Sequence, residues 1–128
     1  MPRVTVTGID HIVVTVADVE RSLAFYIDRL GLTPVRVDEF RRGEVFFPSV
    51  RINPTTIIDL LPGVRSGTNV DHFCLVVERV DLQTVADSGD FDVAGGPAEL
   101  FGAQGQGQGL YVRDPDGNTI ELRHYART

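Results

Sequence analysis

The strongest constraint on this chain is that it repeats itself. The stretch "GIDHIVVTVADVERSLAFY" from Gly8 lines up with "NVDHFCLVVERVDLQTVAD" from Asn69 at an offset of 61 residues. Self-similarity of this kind decides architecture before local detail does. Each copy opens with an alternating apolar run that reads as a strand and carries one histidine, His11 in the first and His72 in the second. Asp18 then offers a helix N-cap, and Val19, Leu23, Tyr26 and Leu30 recur at helical spacing until Gly31 can close the helix. In the second copy Asp81 is the cap, Leu82, Val85 and Ala86 are the apolar face, and Gly89 is the terminator.

Strand patterns come after each helix, around 33–40, 45–50 and 55–61 in the first copy and around 91–95, 98–101, 110–113 and 119–125 in the second. "RDPDGN" (113–118) is a turn that joins the last two runs as a hairpin, because proline presets one dihedral and Gly117 can take positive φ. "FRRGE" (40–44) reads as a solvated hairpin turn, with Arg41 and Arg42 available to an anion. "GAQGQGQG" (102–109) precedes a strand pattern instead of opening a helix, so it reads as a mobile loop and not as a dinucleotide cradle. The expected fold is α+β. Two tandem βαβββ modules, about 6–66 and 67–126, form a single domain over 1–128, a barrel-like mixed sheet enclosing a cleft with the helices outside.

Composition narrows the function classes. The 128 residues are 42% hydrophobic and 23% charged, enough to bury a real core. The net charge of −6 and the absence of a basic stripe exclude a phosphate-neutralising nucleic-acid binder. All twelve basic residues are arginine. Without lysine there is no Schiff-base lysine and no P-loop lysine. The single cysteine, Cys74, cannot form an internal disulfide. No apolar run approaches the roughly 20 residues that cross a bilayer, and "MPRVTVTG" lacks the regions of a secretion signal, so the expected location is the cytoplasm.

Side-chain alternation places chemistry in the cleft. Ile12, Val14 and Val16 share one strand face and suit the helix, while His11 shares the other with Val13 and Thr15. By the same parity His72 and Cys74 face inward, and Asp10 and Asp71 serve the outside or the strand edge. The closing strands correspond too: "TIIDLL" (56–61) sets Asp59 against Glu121 in "TIELRH" (119–124). Asp59 lies 48 residues after His11, and Glu121 lies 49 after His72. A lone strand histidine is more often a hydrogen-bonded core or surface group than a ligand. Four such residues placed by one repeat are less easily accidental. Two imidazoles and two carboxylates suit a divalent transition metal, and a cation removes the cost of burying an acid in an apolar strand.

The segments "DHIVVTVADVERSLAFYIDRLGL" (10–32), "DHFCLVV" (71–77) and "YVRDPDGNTIEL" (111–122) together resemble the vicinal oxygen chelate superfamily, the glyoxalase/bleomycin resistance/dioxygenase proteins. The likeness spans almost the whole chain and is closest to glyoxalase-domain proteins of unassigned substrate. It implies a metal triad of His11, His72 and Glu121 holding a divalent ion such as zinc, nickel, iron, manganese or cobalt. Asp59 falls where glyoxalase I-like members place a glutamate, and its shorter side chain is a departure that leaves three roles open: direct ligand, ligand through a water, or support behind the ligands. The resemblance further implies a small-molecule substrate with two adjacent oxygens, no nucleic-acid or membrane partner, and a homodimer.

The resemblance carries three possible functions. The favoured one is glyoxalase I-like lyase or isomerase chemistry on a hydroxy-keto or dicarbonyl compound, with Glu121 first and Asp59 second as the proton-moving carboxylate. An Fe(II) extradiol dioxygenase is the alternative, in which a catechol and oxygen need three open metal positions. A non-catalytic antibiotic-binding protein is the third, and retention of the ligands speaks for an enzyme. Around the triad, Arg123 can grip a substrate anion or form an ion pair, Phe47 and Tyr125 can wall the pocket, and Cys74 is either a cleft group or a small buried hydrophobe.

Overall fold

The computed structural model describes residues 3–115 and 117–126. Two compact units emerge, one formed by His11–Asp71 and the other by Met1–Asp10 together with His72–Thr128. Strand β1 (Val6–Val16) therefore starts in the second unit and finishes in the first.

In the unit of residues 11–71, β1 leads into α1 (Val19–Leu23), whose Asp18 side chain accepts from Arg21 N at 3.1 Å as an N-cap should. The helix widens into a π-helical turn over Ala24–Arg29. Leu30 N reaches back to Phe25 O at 3.1 Å, an i to i+5 bond. The extra residue in that turn rotates the end of the helix, so Ile27 packs with Leu23, Val37, Val50 and Leu60 while Leu30 is 55% exposed. Gly31, at φ 76°, closes the helix.

Next come β2 (Thr33–Val35), α2 (Val37–Arg41), β3 (Ser49–Asn53) and β4 (Thr56–Pro62). The sheet order is β2-β3-β4-β1, with β1 and β4 parallel and the other pairs antiparallel. The single strand expected over 33–40 is thus a short strand and a helical turn. Arg36 makes the break by taking a left-handed conformation (φ 58°, ψ 25°). "FRRGE" is the end of α2 and the turn beyond it, and no hairpin forms there. Arg41 and Arg42 are engaged with Glu20 and Glu44, at 2.7 and 2.6 Å.

The unit containing 72–126 repeats the plan: β5 (Val70–Val77), α3 (Leu82–Asp87), β6 (Asp92–Gly102), β7 (Gly105–Arg113) and β8 (Thr119–His124). Asp81 caps α3 by accepting from Gln83 N at 3.0 Å, and Gly89 comes next at φ 80°. The order is β5-β8-β7-β6, with β5 and β8 parallel, the same connectivity as in the other unit. Leu82 and Val85 pack on Val77, Leu110, Val112 and Leu122. Residues 5–10 belong here as well, with Glu78 N donating to Thr5 O at 2.7 Å and Thr7 Oγ1 to Val76 O at 3.3 Å.

Three local expectations change in this unit. The runs at 91–95 and 98–101 are one strand, β6, with register shifts between Val93 and Ala98. "GAQGQGQG" is mostly strand β7, paired with β6 across a tight turn at Gly102–Gly105, where a mobile loop was expected. The "RDPDGN" turn does join β7 to β8: Asp114 N donates to Asn118 O at 2.9 Å and Gly117 N to Asp114 O at 3.0 Å. Asp116 lies outside the described residues. In neither unit does the sheet close on itself, since β2 and β6 end the strand order, so these are open mixed sheets where barrel-like closure was expected. Among the described residues no helix is long and apolar enough to cross a membrane.

Candidate functional site

Both units build the same pair of side chains at the same register. In β1 and β4 Val13 stands opposite Asp59, and His11 lies two residues before Val13 on the same strand face. In β5 and β8 Cys74 stands opposite Glu121, and His72 lies two residues before Cys74. The helix-facing positions are aliphatic, Val14 with Leu60 in one unit and Leu75 with Leu122 in the other. The imidazoles and carboxylates fall on the opposite faces, as parity predicts.

His11 Nε2 is 3.8 Å from Asp59 Oδ2, and the two side chains are 2% and 3% exposed. Asp59 also accepts from Ser49 Oγ through Oδ1 at 2.5 Å. Ser49 stands directly opposite Asp59 in the β3–β4 pairing, which explains the contact. In the other unit His72 Nε2 is 3.3 Å from Glu121 Oε1, while Arg123 Nε donates to Glu121 Oε2 at 2.7 Å. In each pair one carboxylate oxygen is held by a donor and the other is turned toward the imidazole.

The 3.3 Å separation of His72 and Glu121 suits a shared cation, and the 3.8 Å of His11 and Asp59 is a few tenths of an ångström wider than one requires. Two donors that each bind one ion at about 2.1 Å stand roughly 3–3.5 Å apart in tetrahedral or octahedral geometry. The donor chemistry, imidazole nitrogen with carboxylate oxygen, suits divalent zinc, manganese, iron, cobalt or nickel.

The remaining candidates separate by what they touch. Arg123 is fully buried and forms an ion pair with Glu121, its other donors being spread over the Tyr125 hydroxyl and the Leu100 and Phe101 carbonyls. Burial works to lower its pKa, but the charge of Glu121, helped by Tyr125 and Cys74, outweighs this and leaves it above the ordinary arginine value. Tyr125 is half-buried, and its hydroxyl donates to Asp10 Oδ1 and accepts from Arg123 Nη1 at 3.1 Å. Cys74 is fully buried, as a small hydrophobe would be. Phe47 is half-buried with its ring 4.9 Å from the Arg36 guanidinium.

Three residues escaped sequence reasoning. Asp10 was expected outside, yet it is 0% exposed, covered by Tyr125 and by the β6–β7 turn, whose Ala103 N donates to it at 2.9 Å. The signal was the repeated Asp-His pair itself, which parity alone misplaced; Asp71, its counterpart, is exposed as expected. Tyr111 meets the His72 ring edge-on at 5.2 Å and stands opposite Glu121 in the β7–β8 pairing. Arg36 lies within electrostatic reach of Asp59; burial lowers its pKa while Asp59 and Glu39 act the other way. Nothing in its sequence context marked it.

Comparison with known proteins agrees with this fold. A curated virulence protein of Salmonella typhimurium is 26% identical over 126 residues, covering 96% of this chain and 88% of its own. A glyoxalase domain-containing protein of Mycosarcoma maydis is 31% identical over 132 residues, covering 96% of this chain and 71% of its own. Among solved structures, the Mn(II)-bound glyoxalase of Novosphingobium aromaticivorans superposes with a TM-score of 0.66 at 24% identity, over 98% of this chain and 42% of that one. The methylmalonyl-CoA epimerase of Streptomyces coelicolor also gives 0.66, at 22% identity over 96% of this chain and 100% of that one. At those identities the structures speak for the fold. The sequence pattern of one family matches residues 8–122, nearly the full length, and with the Mycosarcoma relative it shows that the chain belongs to the Glyoxalase/Bleomycin resistance protein/Dioxygenase superfamily.

Proposed function

We propose that the protein is a metal-dependent enzyme that moves a proton on a carbon beside a carbonyl, in a small substrate presenting two neighbouring oxygens. His11, His72 and Glu121, with Asp59 as the fourth donor, would hold the divalent ion. The observation that carries this reading is the duplication of one buried imidazole–carboxylate pair at the same register in both units. A bound divalent ion would offset the cost of burying these acids in apolar strands.

When bound, the ion supplies Lewis acidity toward negative charge developing on a substrate oxygen. The chain's own groups do the rest. Glu121, and in second place Asp59, is the carboxylate that takes and returns the proton, at the oxygen that its partner donor does not hold. His72 is set edge-on against Tyr111. The burial of Asp59 beside His11 favours this reading over extradiol dioxygenase chemistry, because a fourth protein donor leaves too few positions for a catechol and oxygen. Buried carboxylates in both pairs also weigh against an antibiotic-binding protein without a metal. The fold shared with a Mn(II)-bound glyoxalase and an epimerase supports the class.

The test is metal analysis of protein purified without added metal and then loaded with Mn, Zn, Co, Ni or Fe(II). About one ion per chain is expected in the wild type, with a rise in melting temperature, and substoichiometric metal in His11→Ala and Glu121→Ala. A wild type that holds no metal after loading ends the proposal. Loaded protein is then assayed on hemithioacetals, epimerisable thioesters and catechols, and turnover of a catechol alone would replace proton transfer with oxygen chemistry.

A further inference from the structure

We propose that Arg123 is a positioning residue for Glu121, with Tyr125 and Asp10 as its brace; the inference rests on the metal reading above. An arginine beside a carboxylate commonly takes both oxygens through two parallel N–H bonds. Here Nε makes the contact to Oε2 at 2.7 Å, while the other two nitrogens are drawn to different acceptors. Nη2 donates to the carbonyls of Leu100 and Phe101 at 3.1 and 3.0 Å, and Nη1 to the Tyr125 hydroxyl at 3.1 Å. That hydroxyl donates in turn to Asp10 Oδ1, and Asp10 Oδ2 is tied to Ala103 N at 2.9 Å. The guanidinium is thereby held so that Oε2 is fixed and Oε1 is presented to His72, 3.3 Å away.

The glycines of this region make the arrangement possible. A Cβ at Gly102 would collide with Arg123 Nη1, and one at Gly109 would lie 3.0 Å from Glu121 Oε2. Arg123, Glu121 and Asp10 are all essentially without exposed surface, so the chain of bonds has little room to rearrange. Groups that orient a metal ligand in this way typically govern affinity by one to two orders of magnitude.

The experiment is calorimetric titration with Co²⁺, read together with the visible cobalt spectrum and the stability of the metal-free protein. The variants are Arg123→Lys, Tyr125→Phe and Arg123→Gln, with Arg113→Lys as a control at an exposed pair. Arg123→Lys keeps the charge but loses the fork, and is expected to weaken binding about ten-fold or more and to shift the cobalt bands. Tyr125→Phe, which removes a single hydroxyl, is expected to weaken it by a smaller factor, and it carries the test if Arg123→Lys fails to fold. Wild-type affinity and spectrum in both charge-keeping variants, with only stability reduced, would overturn the proposal. So would tighter binding in Arg123→Gln beside unchanged binding in Arg123→Lys, since Arg123 would then act as a counter-charge alone. A wild type that takes up no cobalt overturns the metal reading itself.

Discussion

Tyr125 shows how much a single hydroxyl can be asked to do. It accepts from a buried guanidinium and donates to a buried carboxylate, so it stands between two charges of opposite sign. Burial, and then the bond to Asp10, push its pKa up to about 12. A raised value means that the folded chain holds this proton more tightly than the unfolded one, where tyrosine titrates near 10. The stabilisation it brings is complete below about pH 10 and is lost as the pH climbs through 12. Urea denaturation at intervals between pH 9 and 12 should therefore show a steeper loss of stability in the wild type than in Tyr125→Phe; parallel curves would contradict this. At this scale the sequence was only partly legible. His11, His72, Asp59 and Glu121 could be named because the repeat supplied two copies to compare. For Asp10 the copy misleads, because Asp71 is exposed while Asp10 is buried, and its contact with Tyr125 spans 115 positions and has no counterpart in the repeat.

At the scale of elements, the glycine-rich segment 102–109 was the largest misreading, and its explanation is steric. Glycines at every second position usually weaken a strand. In β7 they leave one face bare so that neighbouring side chains can lie across it. A Cβ at Gly107 would stand 2.7 Å from the backbone carbonyl of His124, an atom that cannot swing aside. Gly107→Ala is expected to cost about 1–3 kcal/mol in urea denaturation. Gly67→Ala, with open space around its Cβ, should stay within about 0.5 kcal/mol of the wild type. Equal behaviour of the two would remove the steric account. The helices were easier to read because Asp18 and Asp81 cap locally, with the acceptor two or three residues from the donor. The π-helical turn at 24–29 and the left-handed Arg36 left no mark in periodicity, since each depends on how the next segment of chain packs.

For the molecule as a whole, the repeat made the α+β class and the doubled strand order legible, while the division of β1 between two units was not. That division has a consequence for the order in which the chain matures. Residues 11–71 form their unit from one contiguous stretch of chain. The other unit recruits Arg3, Thr7 and Asp10 to partners 87, 69, 93 and 115 positions away. Closing loops of that length is entropically costly and slow. In pulse-labelled hydrogen exchange during refolding, amides of β3 and β4 should gain protection before those of Ala103 and Gln104, which are held by Asp10 and Tyr125. Simultaneous protection would argue for a single cooperative step. As a ribosome delivers the chain, Thr7 and Asp10 are made long before the residues that satisfy them, so β1 must wait, half employed, for the segment that completes it.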